Sequence, residues 1–148
     1  MSEFSHLQPE GSVRMVDIGR KSEQERTAIA RGRLLCQPET IEALKRKALP
    51  KGDAIAVARV AGIQAAKNTA QLIPLCHPLP LNYVALDFEV AEREISVRCE
   101  VATRAPTGVE MEALTGVTVA ALTLYDMMKS ADKTMRIEGI ELISKIKK

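Results

Sequence analysis

The first regular pattern along the chain is an alternation of small or apolar residues with mostly polar ones from Arg26 to Cys36. A period of two places every second side chain on the same side of an extended chain, so this stretch predicts a half-buried β-strand. Ser22 and Glu25 have the spacing of a helix-starting capping box and offer a helix as the alternative. Because the alternation extends further than the capping signal, we predict the strand.

Two helices are predicted to follow this strand. The first begins at Pro38, since proline suits the first helical position. We expect its apolar face at Ile41, Leu44 and Ala48, and we expect Pro50 to end it.

The second helix is predicted over Ala54–Ala66, with an extension to Leu72 left open. Asp53 can cap its first turn, and Pro74 stops it. The proline-rich run Leu75–Pro80 suits neither a helix nor a central strand. We therefore expect a stiff, extended connection that holds its side chains still.

Alternating patterns return at Tyr83–Val90 and Ile95–Val101, which predicts two strands joined by a tight hairpin. Thr107 and Glu110 have the spacing of a capping box. They predict the start of a long helix that ends near Lys129.

The element order, with a final β-rich segment over 134–146, is βα(α)ββαβ. This order is typical of a ferredoxin-like α+β fold, βαββαβ, in which an antiparallel sheet has helices packed on one face. We expect a flexible N-terminal arm over residues 1–12 and a single α+β domain over residues 13–148. A fold of this kind hosts many activities, so function has to be sought in particular side chains.

Composition excludes several classes of function. The 148 residues are 46% apolar and 27% charged, as in an ordinary globular domain. With a net charge of +2, intermixed signs, and only two Tyr and two Phe, a nucleic-acid interface is not expected. The three cysteines, Cys36, Cys76 and Cys99, include no close pair and predict reduced thiols in the cytoplasm.

The uncharged run Ala113–Tyr125 falls short of the roughly 20 residues that a membrane span needs. The first residues show no targeting signal. We expect this run to be a helix that is buried on several sides, in part against another subunit.

The most informative candidate is Asp126, which directly follows this uncharged run and has Lys129 three positions later on the same helix face. A carboxylate in this place is either desolvated, which raises its pKa, or paired with a cation, which lowers it. Such a pair can exchange protons with a substrate. An ordinary ion pair near a helix end is the alternative.

Other candidates also have structural alternatives. His77 lies in the stiff loop and suits ligand binding, although local hydrogen bonds could equally explain it. Neither a zinc site nor a Cys76–His77 nucleophile pair is expected, because ligands are too few and adjacent side chains of an extended loop point apart.

Lys51 precedes a glycine and a helix start, where free N–H groups can hold a phosphate, while an exposed loop lysine is the alternative. Glu110 closes the predicted capping box. Glu112 has no evident structural task and is the better functional candidate of the two.

Three strings in the chain resemble one family. RMVDIG (14–19), KGDAIAVARVAGIQAAKNTAQLIPLCHPLPL (51–81) and TGVEMEALTGVTVAALTLYDMMKSADK (107–133) resemble the cyclic pyranopterin monophosphate synthases, the molybdenum-cofactor biosynthesis protein C family. The likeness covers residues 4–143 and includes the specific motifs LCHPL and GVEMEALT. It implies a ferredoxin-like subunit of a homohexamer, a trimer of dimers with active sites at subunit interfaces.

The resemblance implies a lyase that converts 3′,8-cyclo-7,8-dihydro-GTP into cyclic pyranopterin monophosphate and pyrophosphate. An upstream radical S-adenosylmethionine enzyme would supply this substrate. No cofactor is implied for the synthase itself, although Mg²⁺ can accompany the triphosphate. Two rival hypotheses are a non-catalytic, oligomeric ferredoxin-like module that senses a small ligand, and an acid–base enzyme for another nucleotide or pterin.

The family's functional positions fall on residues of this chain. Its acid–base aspartate and neighbouring lysine match Asp126 and Lys129, and its other catalytic lysine matches Lys51. The substrate-contacting and pocket positions match Leu75, Cys76, His77, Met111, Glu112, Glu110, Arg26 and Asp17. We expect the lysines and His77 to hold the triphosphate, the Asp126–Lys129 pair to move protons, and all these groups to converge in one pocket.

The chain ends at SKIKK, whereas many relatives continue into a Gly/Ser/Lys-rich tail. We expect its last lysines, Lys145, Lys147 and Lys148, to be a solvated end, and the alternative is that they partly substitute for this tail.

Overall fold

A computed structural model describes residues 8–148, so the first seven residues, which form most of the predicted arm, lie outside the described residues. The helices and strands in the described range are β1 (Gln24–Leu35), α1 (Pro38–Lys45), α2 (Ala54–Lys67), α3 (Thr69–Leu72), β2 (Leu81–Val90), β3 (Glu94–Ala105), α4 (Glu110–Met128) and β4 (Arg136–Lys147).

The four strands form one sheet in the order β2-β3-β1-β4, and each neighbouring pair is antiparallel. This is the strand order of the split βαβ pattern, and it confirms the predicted ferredoxin-like α+β fold. The two central strands, β1 and β3, are paired along their whole length, from Gln24 opposite Ala105 to Leu35 opposite Glu94.

The core lies between the sheet and the helices. Ala28, Ala30 and Leu34 of β1 are fully buried, as the alternation predicts, and Cys99 of β3 lies opposite Ala30 in the same layer. Gly32 occupies the remaining inward position because a Cβ there would come 3.0 Å from a methyl carbon of Val117 on α4. The small residues of β1 therefore let α4 lie close to the sheet.

The α2 and α4 backbones also approach each other closely. A Cβ on Gly62 would lie 3.0 Å from the carbonyl oxygen of Gly116, and a Cβ on Gly116 would lie 2.7 Å from the Sγ atom of Cys99. The buried face of α2 consists of small residues, whereas Val57 and Val60 on its other side are exposed. This contact fixes α4 between α2 and the sheet.

The prediction that Pro50 ends the first helix is wrong. Lys47 has a φ of +55° and forms the left-handed residue of a complete Schellman motif. The Ala48 N–H donates to the carbonyl oxygen of Ala43 at 2.9 Å, and the Lys47 N–H donates to that of Leu44 at 3.1 Å. The helix therefore ends at Lys45, and Ala48 is exposed instead of facing the core.

The predicted capping box of α4 is also wrong. Val109 is the N-cap residue, and no side chain caps the helix. The Glu110 carboxylate lies 3.4 Å from the Nζ atom of Lys145 instead of turning back to Thr107. At α2, by contrast, Asp53 accepts a hydrogen bond from the Ala56 N–H at 3.1 Å, as predicted. Within the described range, no helix is both long and apolar enough to cross a membrane.

Candidate active site

The first group of candidate side chains is a lysine–aspartate cluster formed by Lys51, Asp126 and Lys129. The Lys51 Nζ atom lies 3.0 and 3.1 Å from the two Asp126 carboxylate oxygens, and the Lys129 Nζ atom lies 2.7 Å from one of them. Lys51 comes from the loop between α1 and α2, whereas the other two residues lie at the end of α4. One carboxylate therefore joins two ammonium groups that are far apart in sequence.

The chain around Lys51 explains how the side chain reaches this place. Leu49 is buried and anchors the loop, and Gly52 takes a φ of +101° that only glycine adopts readily. Asp53 then begins α2 as its cap. These residues hold the backbone on both sides of Lys51.

The cluster is open to solvent, since the Asp126 side chain is 50% exposed. Hydrogen bonds from Lys129 and then Lys51 lower the pKa of Asp126, and the same pairing with Asp126 raises the pKa of Lys129. Of the two predicted environments, the structure shows the ion-paired one. Asp126 is therefore a carboxylate at neutral pH, and Lys129 remains an ammonium group.

The second group of candidates lines a cavity of about 280 Å³ at the start of α4, called here the α4 pocket. It includes six predicted positions, namely Leu75, Cys76, His77, Glu110, Met111 and Glu112. The proline-rich loop supplies three of them and the first turn of α4 supplies the other three, so the fold joins two of the three motifs here.

His77 connects the α4 pocket to the third motif, RMVDIG (14–19). Its Nε2 atom lies 2.6 Å from the carbonyl oxygen of Val16. Because a carbonyl only accepts, Nε2 carries the proton and Nδ1 is the second ring nitrogen available to a ligand. Val16 and Ile18, the apolar residues on either side of Asp17, also line the α4 pocket.

Glu112 is the buried acid of the pocket, with only 4% of its surface exposed. Burial raises its pKa to about 7, and the neighbouring Glu110 also raises it. Burial, together with the charges of Glu112 and Glu110, likewise raises the pKa of the Cys76 thiol. At neutral pH, Glu112 can therefore both give and take a proton, whereas Cys76 is a poor nucleophile.

Arg26 and Asp17 lie beside the pocket without lining it. The Arg26 guanidinium donates to the carbonyl oxygen of Pro106 at 3.2 Å, and its Nε atom is buried with no hydrogen-bond partner in the described part of the chain. The same is true of the Glu110 Oε2 atom. Asp17 is exposed and accepts a hydrogen bond from the Gly19 N–H at 2.8 Å.

Two basic residues of this region are missing from the sequence-based site. Lys21 lines the pocket, and Lys145 of β4 reaches Glu110 at its rim. The Lys145 side chain is 54% exposed, as expected of a solvated end, but the pairing of β4 with β1 also brings it to Glu110 at the start of α4. Lys21 lies in the segment before β1 and Lys145 lies on β4, so only the tertiary structure brings them to the pocket.

The lysine–aspartate cluster and the α4 pocket do not meet within one chain. Glu112 and Asp126 lie near opposite ends of the 19-residue helix α4. At about 1.5 Å per residue, their axial separation is about 21 Å. The expectation that all the candidates converge in one pocket is thus wrong for a single copy of the chain.

A larger concavity, of about 810 Å³, lies elsewhere, on the open face of the sheet. Its cations are already paired with acids, as in Arg31–Glu141 at 2.5 Å and Arg33–Glu138 at 3.2 Å. None of the predicted site residues lines it. Residues 8–148 contain no group of three His, Cys, Asp or Glu side chains arranged to hold a metal ion.

The chain is thus an α+β protein of the ferredoxin-like class that carries a buried acid of near-neutral pKa and a carboxylate between two lysines, groups suited to proton transfer and to phosphate chemistry. Comparison with known proteins is more specific. The model of the MoaC family matches residues 15–147, and the chain belongs to this family.

Several named relatives match nearly the whole chain. It is 52% identical over 98% of its length to the cyclic pyranopterin monophosphate synthase of Thermomicrobium roseum, of which it covers 89%. The protein of the same name from Corynebacterium efficiens is 50% identical, with 98% of this chain and 94% of the relative covered. A molybdenum cofactor biosynthesis bifunctional protein of Chlorobaculum tepidum is 54% identical over 95% of this chain, which spans 45% of that longer protein.

Proposed function

We propose that this chain is a cyclic pyranopterin monophosphate synthase, a lyase of molybdenum cofactor biosynthesis that converts 3′,8-cyclo-7,8-dihydro-GTP into cyclic pyranopterin monophosphate and pyrophosphate. The names of relatives about half identical over nearly the full chain support this activity. The observation that carries it is the Asp126 carboxylate held between the Lys51 and Lys129 ammonium groups, at the positions that match the family's catalytic residues. The non-catalytic ligand-sensing module is not favoured.

The two lysines suit the phosphate chemistry of this reaction. A sugar hydroxyl attacks the α-phosphorus, a P–O bond forms, and the bond to the pyrophosphate leaving group breaks. Negative charge builds on the departing pyrophosphate, and two ammonium groups on one carboxylate can stabilise it. Because Asp126 raises the pKa of Lys129, the carboxylate keeps this cation charged.

The proton transfers of ring opening and reclosure need a different group. A carboxylate whose pKa is lowered, such as Asp126, is a poor proton donor near pH 7. Glu112, with its pKa raised to about 7, can donate and accept in turn. We therefore assign the proton exchange at the purine-derived ring to Glu112, the binding of the phosphates to His77, and the stabilisation of the charge that builds on the departing pyrophosphate to the lysine–aspartate cluster.

A complete site needs a second copy of the chain. The α4 pocket, at about 280 Å³, is below the roughly 300–1,000 Å³ of typical ligand sites. The lysine–aspartate cluster lies about 21 Å away along α4. Exposed apolar side chains on the helical layer, Val57, Val60 and Leu122, suit burial between subunits. The proposal includes the homohexamer, a trimer of dimers, in which each pocket receives the cluster of a neighbouring copy.

The remaining parts of the proposal follow from this activity. The substrate comes from an upstream radical S-adenosylmethionine enzyme, and no resident cofactor takes part. The substrate's triphosphate can carry Mg²⁺ into the site. Residues 13–148 form the single catalytic domain, and its three unpaired cysteines suit the reducing cytoplasm.

The direct test is to supply the purified protein with enzymatically prepared 3′,8-cyclo-7,8-dihydro-GTP. Pyrophosphate release is measured, and the pterin product is identified by mass spectrometry. We expect both products from the wild-type chain and a large loss with Asp126→Asn. A folded oligomer that releases no pyrophosphate would refute the proposal, and thermal stabilisation by the ligand without turnover would favour the sensing module.

Subunit complementation tests the composite site. Asp126→Asn alters the lysine–aspartate cluster, and Glu112→Gln alters the α4 pocket. In oligomers that mix the two variants equally, each of these two halves of a site is intact with a probability of one half. Such oligomers should therefore regain about a quarter of the wild-type activity. Mixing Asp126→Asn with Lys129→Ala is the matched control and should restore nothing, because both lie in the same half. Mixed oligomers of the first pair that stay inactive would contradict the shared site.

A further inference from the structure

Asp132 is a buried carboxylate that the proposed chemistry leaves unused. It lies between α4 and β4, with 5% of its surface exposed. Its Oδ2 atom accepts hydrogen bonds from the Gln37 N–H and the Thr40 hydroxyl, both at 2.9 Å. Its Oδ1 atom accepts from the Thr134 N–H at 2.8 Å and the Thr134 hydroxyl at 2.7 Å. Every bond it makes is thus to a neutral donor.

These bonds place Asp132 at the N-terminus of α1. Gln37 is the N-cap of this helix, and its own side chain makes no cap hydrogen bond. Asp132, distant in sequence, satisfies the Gln37 N–H instead, and its negative charge suits the helix dipole. Burial would raise the pKa of Asp132, but its hydrogen bonds from Gln37, Thr134 and Thr40 lower it.

Two kinds of contact hold α1 in place. Ile41 and Leu44 are buried in the hydrophobic core, and the N-terminus of the helix bonds to Asp132. Beyond its Schellman end, the chain continues through the buried Leu49 directly to Lys51. The placement of α1 therefore determines where the Lys51 loop begins.

The other side of the Asp132 contact is the end of α4. Asp126 lies in the last turn of this helix, and Lys129 is its C-cap residue. Asp132 follows a few residues later, and Thr134 leads into β4. The carboxylate thus joins the segment that carries Lys51 to the segment that carries its ion-pair partner.

We infer that Asp132 is a positioning residue, which holds α1 against the end of α4 and so sets the distance between Lys51 and Asp126. This inference rests on the proposed function for its kinetic consequence, although the geometry can be tested without turnover. Asp132 does not reach the substrate, since its oxygens are occupied by α1 and Thr134. Its loss should therefore affect kcat and leave KM little changed.

Asp132→Asn is the first test. Asparagine keeps the shape of the Asp132 side chain, but its N–H₂ group faces hydrogen-bond donors on α1 or Thr134. Hydrogen bonds that the carboxylate accepted on that side are therefore lost. We expect kcat to fall about tenfold, because small displacements of catalytic groups cost up to roughly 10²-fold, and KM to stay within about twofold. Val97→Ala, in the core of β3 and away from both segments, is the control. It should lower the thermal midpoint with kcat unchanged.

Thr40→Val is the second variant, in case Asp132→Asn does not fold. It retains the side-chain shape and removes only the hydroxyl that donates to Asp132 from α1. We expect a several-fold fall in kcat with KM again unchanged.

Chemical labelling reports the geometry without an activity assay. Lys51 is acetylated under limiting reagent and quantified by mass spectrometry, with the exposed Lys67 as internal reference. Acetylation of Lys51 relative to Lys67 should rise several-fold in either variant, because Lys51 loses its ion pair. Unchanged kcat and unchanged Lys51 labelling in the folded variants would overturn the inference. An inactive wild type would refute the proposed function alone, and the labelling comparison would still decide the role of Asp132.

Discussion

Replacing Glu112 with glutamine should remove a pH dependence of stability that burial imposes. Glu112 is 4% exposed, and its pKa rises from an ordinary 4.5 to about 7 on folding. A carboxyl with a higher pKa in the folded chain binds more protons there, so its stabilising contribution is complete below pH 4.5 and is lost as the pH rises through 7. Because each pKa unit is worth about 1.4 kcal/mol, the loss approaches about 3 kcal/mol above pH 8.

Glutamine stays neutral at every pH, so Glu112→Gln should match the wild type near pH 4.5 and exceed its free energy of unfolding by up to about 3 kcal/mol at pH 8.5. Urea titrations at both pH values measure this difference, at equal protein concentration because subunit association adds stability. Glu89→Gln, on an exposed position of β2, is the control and should leave the difference between the two pH values unchanged. Equal free energies of unfolding for the wild type and Glu112→Gln at pH 8.5 would refute this prediction. They would mean that a cationic group compensates the buried Glu112 carboxylate.

Three other variants or treatments test the site and the core. Asp126→Asn should lower kcat about 100-fold, since the lysines lose their shared carboxylate, without changing the size-exclusion profile. Turnover near wild type would contradict that role. Gly116→Ala should lower the free energy of unfolding by about 1–3 kcal/mol, because its Cβ would lie 2.7 Å from the Cys99 Sγ atom. Adding Cys99→Ala should recover part of this loss in urea titrations. An aromatic disulfide reagent at pH 8 should modify only Cys76, slowly, in native protein and three thiols in denatured protein, because burial raises the pKa of Cys36 and Cys99 to about 12. Rapid native reaction of all three would contradict their burial.

The elements that the sequence predicted well depend on local patterns. The alternation that ends at Cys36 corresponds to β1, and Asp53 caps α2 as its position before a run of helix formers indicates. The helix that the capping box at Ser22 offers as an alternative does not form, because the alternating side chains bury one face of β1 against the core. Burial of a whole strand face outweighs one cap.

Helix ends were predicted less well because nonlocal or unusual contacts decide them. Lys47 ends α1 in a left-handed conformation that usually belongs to glycine, so the sequence pointed to Pro50 instead. Glu110 has the right spacing to close a capping box with Thr107. In the fold, the amine of Lys145 attracts its carboxylate from a strand at the other end of the chain.

The candidate site, too, was predicted where local motifs define it and missed where only tertiary contacts do. Family motifs identified the side chains of the α4 pocket and the lysine–aspartate cluster, and the structure places each set together. Sequence reasoning allowed opposite pKa shifts for Asp126, and the hydrogen bonds from Lys129 and then from Lys51, which approaches from another loop, lower its pKa. Lys21 and Asp132 escaped notice because each acquires its neighbours only through tertiary structure.

The length of α4 connects the fold to the assembly. One rigid helix bears the buried acid Glu112 near its start and Asp126 near its end, and no bending of a single chain can close about 21 Å between them. In the assembly that we propose, two α4 helices pack antiparallel across a two-fold axis, so the start of one helix meets the end of its partner and the reverse contact forms at the same time. Each pair of chains would then have two complete sites, with a proton-exchanging carboxyl from one chain and the charge-stabilising cluster from the other. The pKa values at the two ends of α4 shift in opposite directions and support this division of roles. Burial raises the pKa of Glu112 to about 7, whereas hydrogen bonds from the two lysines lower that of Asp126 and keep it charged.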